Sequence, residues 1–168
     1  MNRKFAMHVI SAVGAILMLV GAAKAEDKGV DWKALETAKV SLGKGLAAAQ
    51  TTGKPISGKF EMEDGKLQLS VYTASKGKFS EVIVDYTSGK ISKNEQIKEG
   101  ADYSDSVAQS KVMAKAKRSL SAAVAKAVAL NPGYRAVSVA PSLEQGKPVA
   151  TVVLANSTGT KTVSEKLD

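Results

Sequence analysis

One short phrase occurs twice in this chain: Ala38-Lys39-Val40-Ser41-Leu42 returns as Ala116-Lys117-Arg118-Ser119-Leu120. Each copy lies in a helical pattern of apolar residues. Each is followed by Gly-punctuated runs in which apolar and polar residues alternate. A repeated helix-then-strands unit builds two related structures from one plan, and function then falls on the surfaces of the copies or between them.

In the first copy, Asp31 is a helix N-cap with Trp32 at the first helical position, and Val30 and Leu35 are spaced for a hydrophobic staple. Leu35, Ala38, Leu42, Leu46 and Ala49 recur three or four apart, which predicts one continuous helix ending before Thr51-Thr52-Gly53-Lys54-Pro55. On that helix Ala38 and Leu42 face the sheet, as do Ala116 and Leu120 on theirs, so the repeated phrase reads as a packing signature. Gly43 and Gly45 each cost a helix about 1 kcal/mol against Ala, and they permit close approach to a sheet. Strand patterns follow over 56–63, 66–73 and 79–85. They are separated by an Asp64-Gly65 hairpin and a longer turn over 74–78, and a turn over 86–91 leads into a short fourth strand. Alternation of this kind buries one face of a sheet and wets the other.

The second copy follows a polar stretch over 92–102. Ser106 to Gln109 fits a capping box, and Met113, Ala116, Leu120, Val124 and Ala127 form the helical stripe that Asn131-Pro132-Gly133 stops. Strands are predicted over 134–139, where Pro141 limits extension, over 149–154 and over 160–163. The offset between copies drifts from 78 at the helix to 81 at the hairpin glycines Gly65 and Gly146. The expected architecture is α+β: two similar units, 26–98 and 99–168, each a helix packed on its own three- to four-stranded antiparallel sheet.

Val82-Ile83-Val84-Asp85-Tyr86-Thr87-Ser88-Gly89-Lys90-Ile91, with the preceding strand Asp64 to Val71, resembles the PepSY domain family. The resemblance covers about Trp32 to Ser92 and is weaker in the second copy, whose end lacks the Asp and Gly-Lys turn. It implies cystatin-like units in tandem, a location outside the cytoplasm and, in some members, regulation or inhibition of proteases. The family turn residues Asp85, Thr87, Gly89 and Lys90 also have a structural explanation. Asp85 can form an Asx turn, and Gly89 can take positive φ at a sharp bend.

Residues 1–25 read as a secretory leader, with Asn2-Arg3-Lys4, an apolar run from Phe5 to Gly21, and a small-x-small site at Ala23-Lys24-Ala25. Cleavage leaves 143 residues, periplasmic or secreted, with no later segment apolar enough to span a bilayer. The only histidine, His8, leaves with the leader, and the chain has no cysteine. Ser-His-Asp and Cys-His catalysis are thereby excluded, as are imidazole or thiolate metal sites. Only Met62 and Met113 remain among the methionines, too few for a Met-rich copper site. The remaining charge of about +5 would suit nucleic acid, but export and the scarcity of aromatic residues argue against that partner.

Of the charged clusters, Glu61, Glu63 and Asp64 can be read as oxygen ligands for a cation or as a carboxylate pair. They are better read as a solvated strand face running into a turn. Asp102 and Asp105 serve the dipole of the second helix, and Lys111, Lys115, Arg118 and Lys126 form its wet stripe or a surface for an acidic partner or the membrane face. No catalytic, cofactor-binding or metal-binding residue is assigned, and oligomeric state is left open. The expected function is non-enzymatic binding of a protein or peptide, including protease inhibition, with strand addition as one route. The alternative is a small-ligand or cation carrier using the cleft between units. It requires Phe60, Tyr72, Phe79 and Tyr86 to line an open pocket rather than be sealed under helices.

Overall fold

The computed structural model describes residues 30–168. The leader expected over residues 1–25 lies outside them. The elements run α1 (Trp32–Glu36), α2 (Leu42–Ala49), β1 (Lys54–Glu63), β2 (Lys66–Ser75), β3 (Lys78–Val84), β4 (Ile91–Ile97), α3 (Gly100–Lys115), α4 (Leu120–Ala129), β5 (Arg135–Glu144), β6 (Lys147–Asn156) and β7 (Gly159–Lys166). All seven strands form one antiparallel sheet in the order β4-β3-β2-β1-β5-β6-β7. This overturns the expectation of two cystatin-like units, each with its own sheet. The two meanders are joined edge to edge by β1 and β5, which pair at Gly58↔Val139 and Lys59↔Ser138. Each half alone would expose the edges of β1 and β5 and divide a small core. Joining them pairs the two edges at their middle and makes one cluster of buried side chains, from Leu35 to Leu167.

The strands follow from their turns. Asp64-Gly65, Lys76-Gly77 and Gln145-Gly146 all have positive φ at both residues, the type I′ geometry whose twist matches two antiparallel strands. The loop expected over 74–78 is therefore a two-residue turn, and strands β2 and β3 reach Ser75 and Lys78 on either side of it. Pro141 does not end β5. It lies within the strand opposite Ala150, beyond the stretch where β1 pairs, so its missing N–H costs no ladder bond to β1.

The repeated pentapeptide is a corner, not the middle of a helix. The predicted continuous helices break there into α1 and α2, and into α3 and α4. Ser41 and Ser119 are extended N-caps whose Oγ atoms accept from Lys44 N at 3.3 Å and Ala122 N at 3.2 Å. The preceding residues turn both amides onto one carbonyl. Lys39 N and Val40 N donate to Tyr86 O, each at 2.9 Å, and Lys117 N and Arg118 N donate to Leu167 O at 2.7 and 3.0 Å. The corner keeps Leu35, Ala38 and Leu42 in the core, so helical periodicity continues across a break in the helix.

Helices α2 and α4 lie against one face of the sheet. Gly45 approaches Leu69 so closely that a Cβ would sit 2.6 Å from Cδ2, and Gly58 would meet Leu46 in the same way at 3.1 Å. Helix α3 lies across the other face, which was expected to be wet throughout. Its Tyr103 ring meets Phe79 edge-on at 5.6 Å, and Gln109 Oε1 accepts from Ser57 Oγ at 2.8 Å. The β2–β3 register puts Phe79 and Leu69 on opposite faces. The capping box expected at Ser106 is not used: α3 starts at Gly100, and Ser106 is buried in its middle.

Two cations tie the halves together in a crossed arrangement. Arg135, at the start of β5, donates from Nη1 to Leu35 O at 2.8 Å and from Nη2 to Ala38 O at 2.7 Å, the carbonyls at and just beyond the end of α1. Lys54, at the start of β1, donates from Nζ to Met113 O at 2.6 Å in the last turn of α3. Each half thus supplies the cation that caps a helix of the other, where the helix dipole favours positive charge. Arg135→Met is expected to lower stability by about 2 kcal/mol, the scale for losing charge-assisted hydrogen bonds. Lys54→Met, at a more exposed site, should cost less. Ser41→Ala and Ser119→Ala should each cost about 1 kcal/mol. Urea unfolding midpoints check all four.

Candidate binding face

The face that α3 only partly covers carries a connected set of polar side chains. On β1 and β2 the pairs Lys59↔Ser70 and Glu61↔Gln68 project to this side, and Tyr72↔Glu81 continues it onto β3. Alternation places every second residue here. Lys59 Nζ contacts Glu61 Oε2 at 2.6 Å, Ser70 Oγ donates to Glu61 Oε1 at 2.7 Å, and Gln68 Nε2 donates to Ser70 Oγ at 3.0 Å. Tyr72 donates its hydroxyl to Glu81 Oε1 at 3.4 Å, and Lys59 Nζ lies 5.9 Å from the Tyr72 ring centroid. Ser70 is fully buried, whereas Lys59, Glu61, Gln68, Tyr72 and Glu81 are half-buried. Buried polar groups keep one geometry when each has a partner, so the network presents a set surface.

The face continues across the joint. Lys59 pairs with Ser138 of β5, and the register carries on to Val153 of β6 and Thr162 of β7. The next row holds Ala140, Thr151 and Ser164. Short side chains make this half flat, while the first half offers an aromatic ring and paired charges.

The Tyr72 phenol is held far above its ordinary pKa, first by burial and then by the carboxylates of Glu81, Asp102 and Glu61. It stays a neutral donor and is unavailable as a phenolate base. Glu61 is tied to Lys59 and Ser70, and its expected partners Glu63 and Asp64 are exposed at the hairpin tip. Among the described residues, no three acidic side chains are grouped to hold a metal ion.

The other residues singled out by sequence fall elsewhere. The Asp85 to Lys90 turn lies at the end of β3 and packs on the pentapeptide corner. Asp85 Oδ1 accepts from Thr87 N at 3.1 Å and Ser88 N at 2.6 Å, Asp85 N donates to Lys90 O at 2.8 Å, and Gly89 has φ +77°. The turn presents Tyr86 O to the corner amides, a structural task. The basic stripe is dispersed: Lys111 and Lys115 are on α3, Arg118 is in the corner, and Lys126 of α4 pairs with Glu165 at 2.7 Å. The four aromatic residues of the carrier reading do not converge. Phe60 is sealed under the α2 side, Phe79 is covered by Tyr103, and Tyr72 and Tyr86 are half-buried at separate places. Two open clefts of about 280 and 310 Å³ flank Met113, and Phe79 alone of the four lines one of them.

No family model matches the chain, and no curated protein is similar to it. The crystal structure of a "putative lipoprotein" from Clostridium difficile 630 is similar in shape, with a TM-score of 0.44 and 9% identity over 78% of this chain and 88% of that one. That likeness is too distant to carry fold or function across. No helix among the described residues is long and apolar enough to cross a membrane.

The Asp85 turn gives a pH signature. Its carboxyl is held below the ordinary value by hydrogen bonds from Ser88 and Thr87. A folded-state pKa below the unfolded one stabilises the fold above the unfolded value, about 3.9, and that contribution is lost as pH falls through the folded value. Asp85→Asn keeps the turn's acceptor but cannot titrate. Its loss of stability between neutral pH and strong acid should be smaller than that of the natural protein, as measured by urea midpoints across that range. Parallel acid limbs would contradict this.

Proposed function

We propose that this is an exported, non-enzymatic protein that binds a protein or peptide across the polar face of its sheet. The observation that carries the reading is the network of half-buried Lys59, Glu61, Gln68, Tyr72 and Glu81 around the buried Ser70, beside the flat hydroxyl-bearing rows of β5 to β7. A small-molecule site is concave and mostly apolar, enclosing its ligand. This surface is broad and polar, with one supported tyrosine, and suits an extended partner. Tyrosine gives contact area at low entropic cost, and pre-paired charges give register and exclude wrong partners.

Export rests on the leader pattern of residues 1–25. The non-enzymatic reading rests on the residues available: without histidine or cysteine after the leader, only carboxylate, Lys, Tyr or Ser chemistry remains, and the face pairs its carboxylates and holds its tyrosine neutral. The PepSY resemblance of Trp32 to Ser92 supports a location outside the cytoplasm.

A photo-crosslinking residue placed at Lys59 or Thr151 in the producing cell should yield a discrete adduct. The same residue at Lys111, on the exposed side of α3, should not. Tyr72→Ala should lower the adduct yield at Lys59 by about tenfold, the scale of one lost aromatic anchor. Equal labelling at all three positions, or none at the face, would remove the reading. Sequencing of the mature N-terminus should return Glu26.

A further inference from the structure

The two edges of the sheet differ. On β7, Glu165 is buried in its ion pair with Lys126, and Lys161 lies 4.7 Å from the Tyr134 ring centroid. On β4, every residue from Ile91 to Gln96 is exposed, and among the described residues the strand pairs only with β3. Such an edge is a template for a further strand unless its side chains forbid it.

The order Lys93-Asn94-Glu95 selects the strand it can accept. Lys93 and Glu95 project on the face of Ile83 and Glu81, and Asn94 projects on the other face with Val82. An antiparallel second copy centred on Asn94 sets Lys93 of each chain opposite Glu95 of the other. Asn94 then faces its own equivalent, and an amide both donates and accepts. The neighbouring registers and the parallel one fail on charge. Centring on Lys93 or on Glu95 opposes like charges, and a parallel in-register copy opposes both pairs of like charges. Lys93 and Glu95 already touch along their own strand at 2.9 Å, both more than half exposed, at 58% and 61%. The second copy would close this pair into a square of alternating charge.

We propose that β4 is the contact through which two copies of this chain associate, antiparallel about Asn94. The register shift at Ser92 ends the ladder on one side, so the paired stretch is short and the association weak. The two-fold axis stands perpendicular to the sheet, which leaves α2 and α4 of both copies on one side and the Lys59–Tyr72 faces of both on the other. The contact stands on the edge alone and does not depend on what the face binds.

Sedimentation equilibrium of the protein, purified as the cell processes it, tests the contact from micromolar to millimolar concentration. A reversible monomer–dimer equilibrium is expected, weakened by salt. Lys93→Glu should raise the dimer dissociation constant at least about tenfold, and so should Glu95→Lys, since each turns two attractive cross-strand pairs into repulsive ones. The double variant Lys93→Glu/Glu95→Lys should restore it. The two single variants, each monomeric alone, should pair when mixed, because one edge is then wholly acidic and the other wholly basic. Both positions are exposed, so thermal unfolding should show all variants folded. A protein monomeric throughout, a dimer indifferent to both single changes, or single variants that stay apart when mixed would overturn the proposal. So would capture of the β4 edge by a different protein in preference to a second copy.

Discussion

The architecture depends on the joint between β1 and β5. Only Gly58↔Val139 and Lys59↔Ser138 are paired there, yet this short ladder turns two meanders into one sheet and two small apolar clusters into one core. So few backbone bonds would leave the halves free to hinge. The shared core, in which α2 packs against α4, opposes this, and the crossed cations add to it: Arg135 reaches from β5 to carbonyls at and just beyond the end of α1, and Lys54 reaches from β1 to the end of α3. Both act across the joint, each placing a positive charge where a helix ends.

That joint also explains the binding face. A divided sheet would offer two narrow surfaces. Joined, β1 passes its charged row directly to the hydroxyl-bearing rows of β5 and β6, and the first half's tyrosine and carboxylates become one end of a longer platform. Helix α3 frames the platform through Tyr103 on Phe79 and Gln109 on Ser57.

Sequence revealed some of these features and concealed others, for identifiable reasons. The hairpins were legible because Asp64-Gly65 and Gln145-Gly146 are local turn chemistry flanked by alternation. The extent of α3 was not. It lies on a polar face, so it carries no apolar stripe, and among its residues only Ser106 and Met113 are buried. The break between α1 and α2 was hidden because Leu35, Ala38 and Leu42 keep helical spacing while the backbone turns between them. The joined sheet was hidden because alternation states which face of a strand is buried and says nothing of which strand lies beside it. At the site, Glu61 stood out as an acid, but its meaning came from Lys59 and Ser70. Tyr72 is visible in the sequence as an aromatic residue, whereas its role depends on Glu81 across the ladder.

Every strand pairing but one is a link between neighbours in the chain, and most of those close over two-residue turns. The exception, β1 with β5, closes a loop of about 80 residues, and loop entropy must be met before that contact gives anything back. Each meander can therefore gather quickly and locally. Sequence separation alone makes the β1–β5 encounter the costliest pairing in the sheet, and until it occurs both β1 and β5 present bare edges to solvent. Conditions that slow the encounter, such as loss of the crossed cations, would lengthen the time in which those edges can find the wrong neighbour.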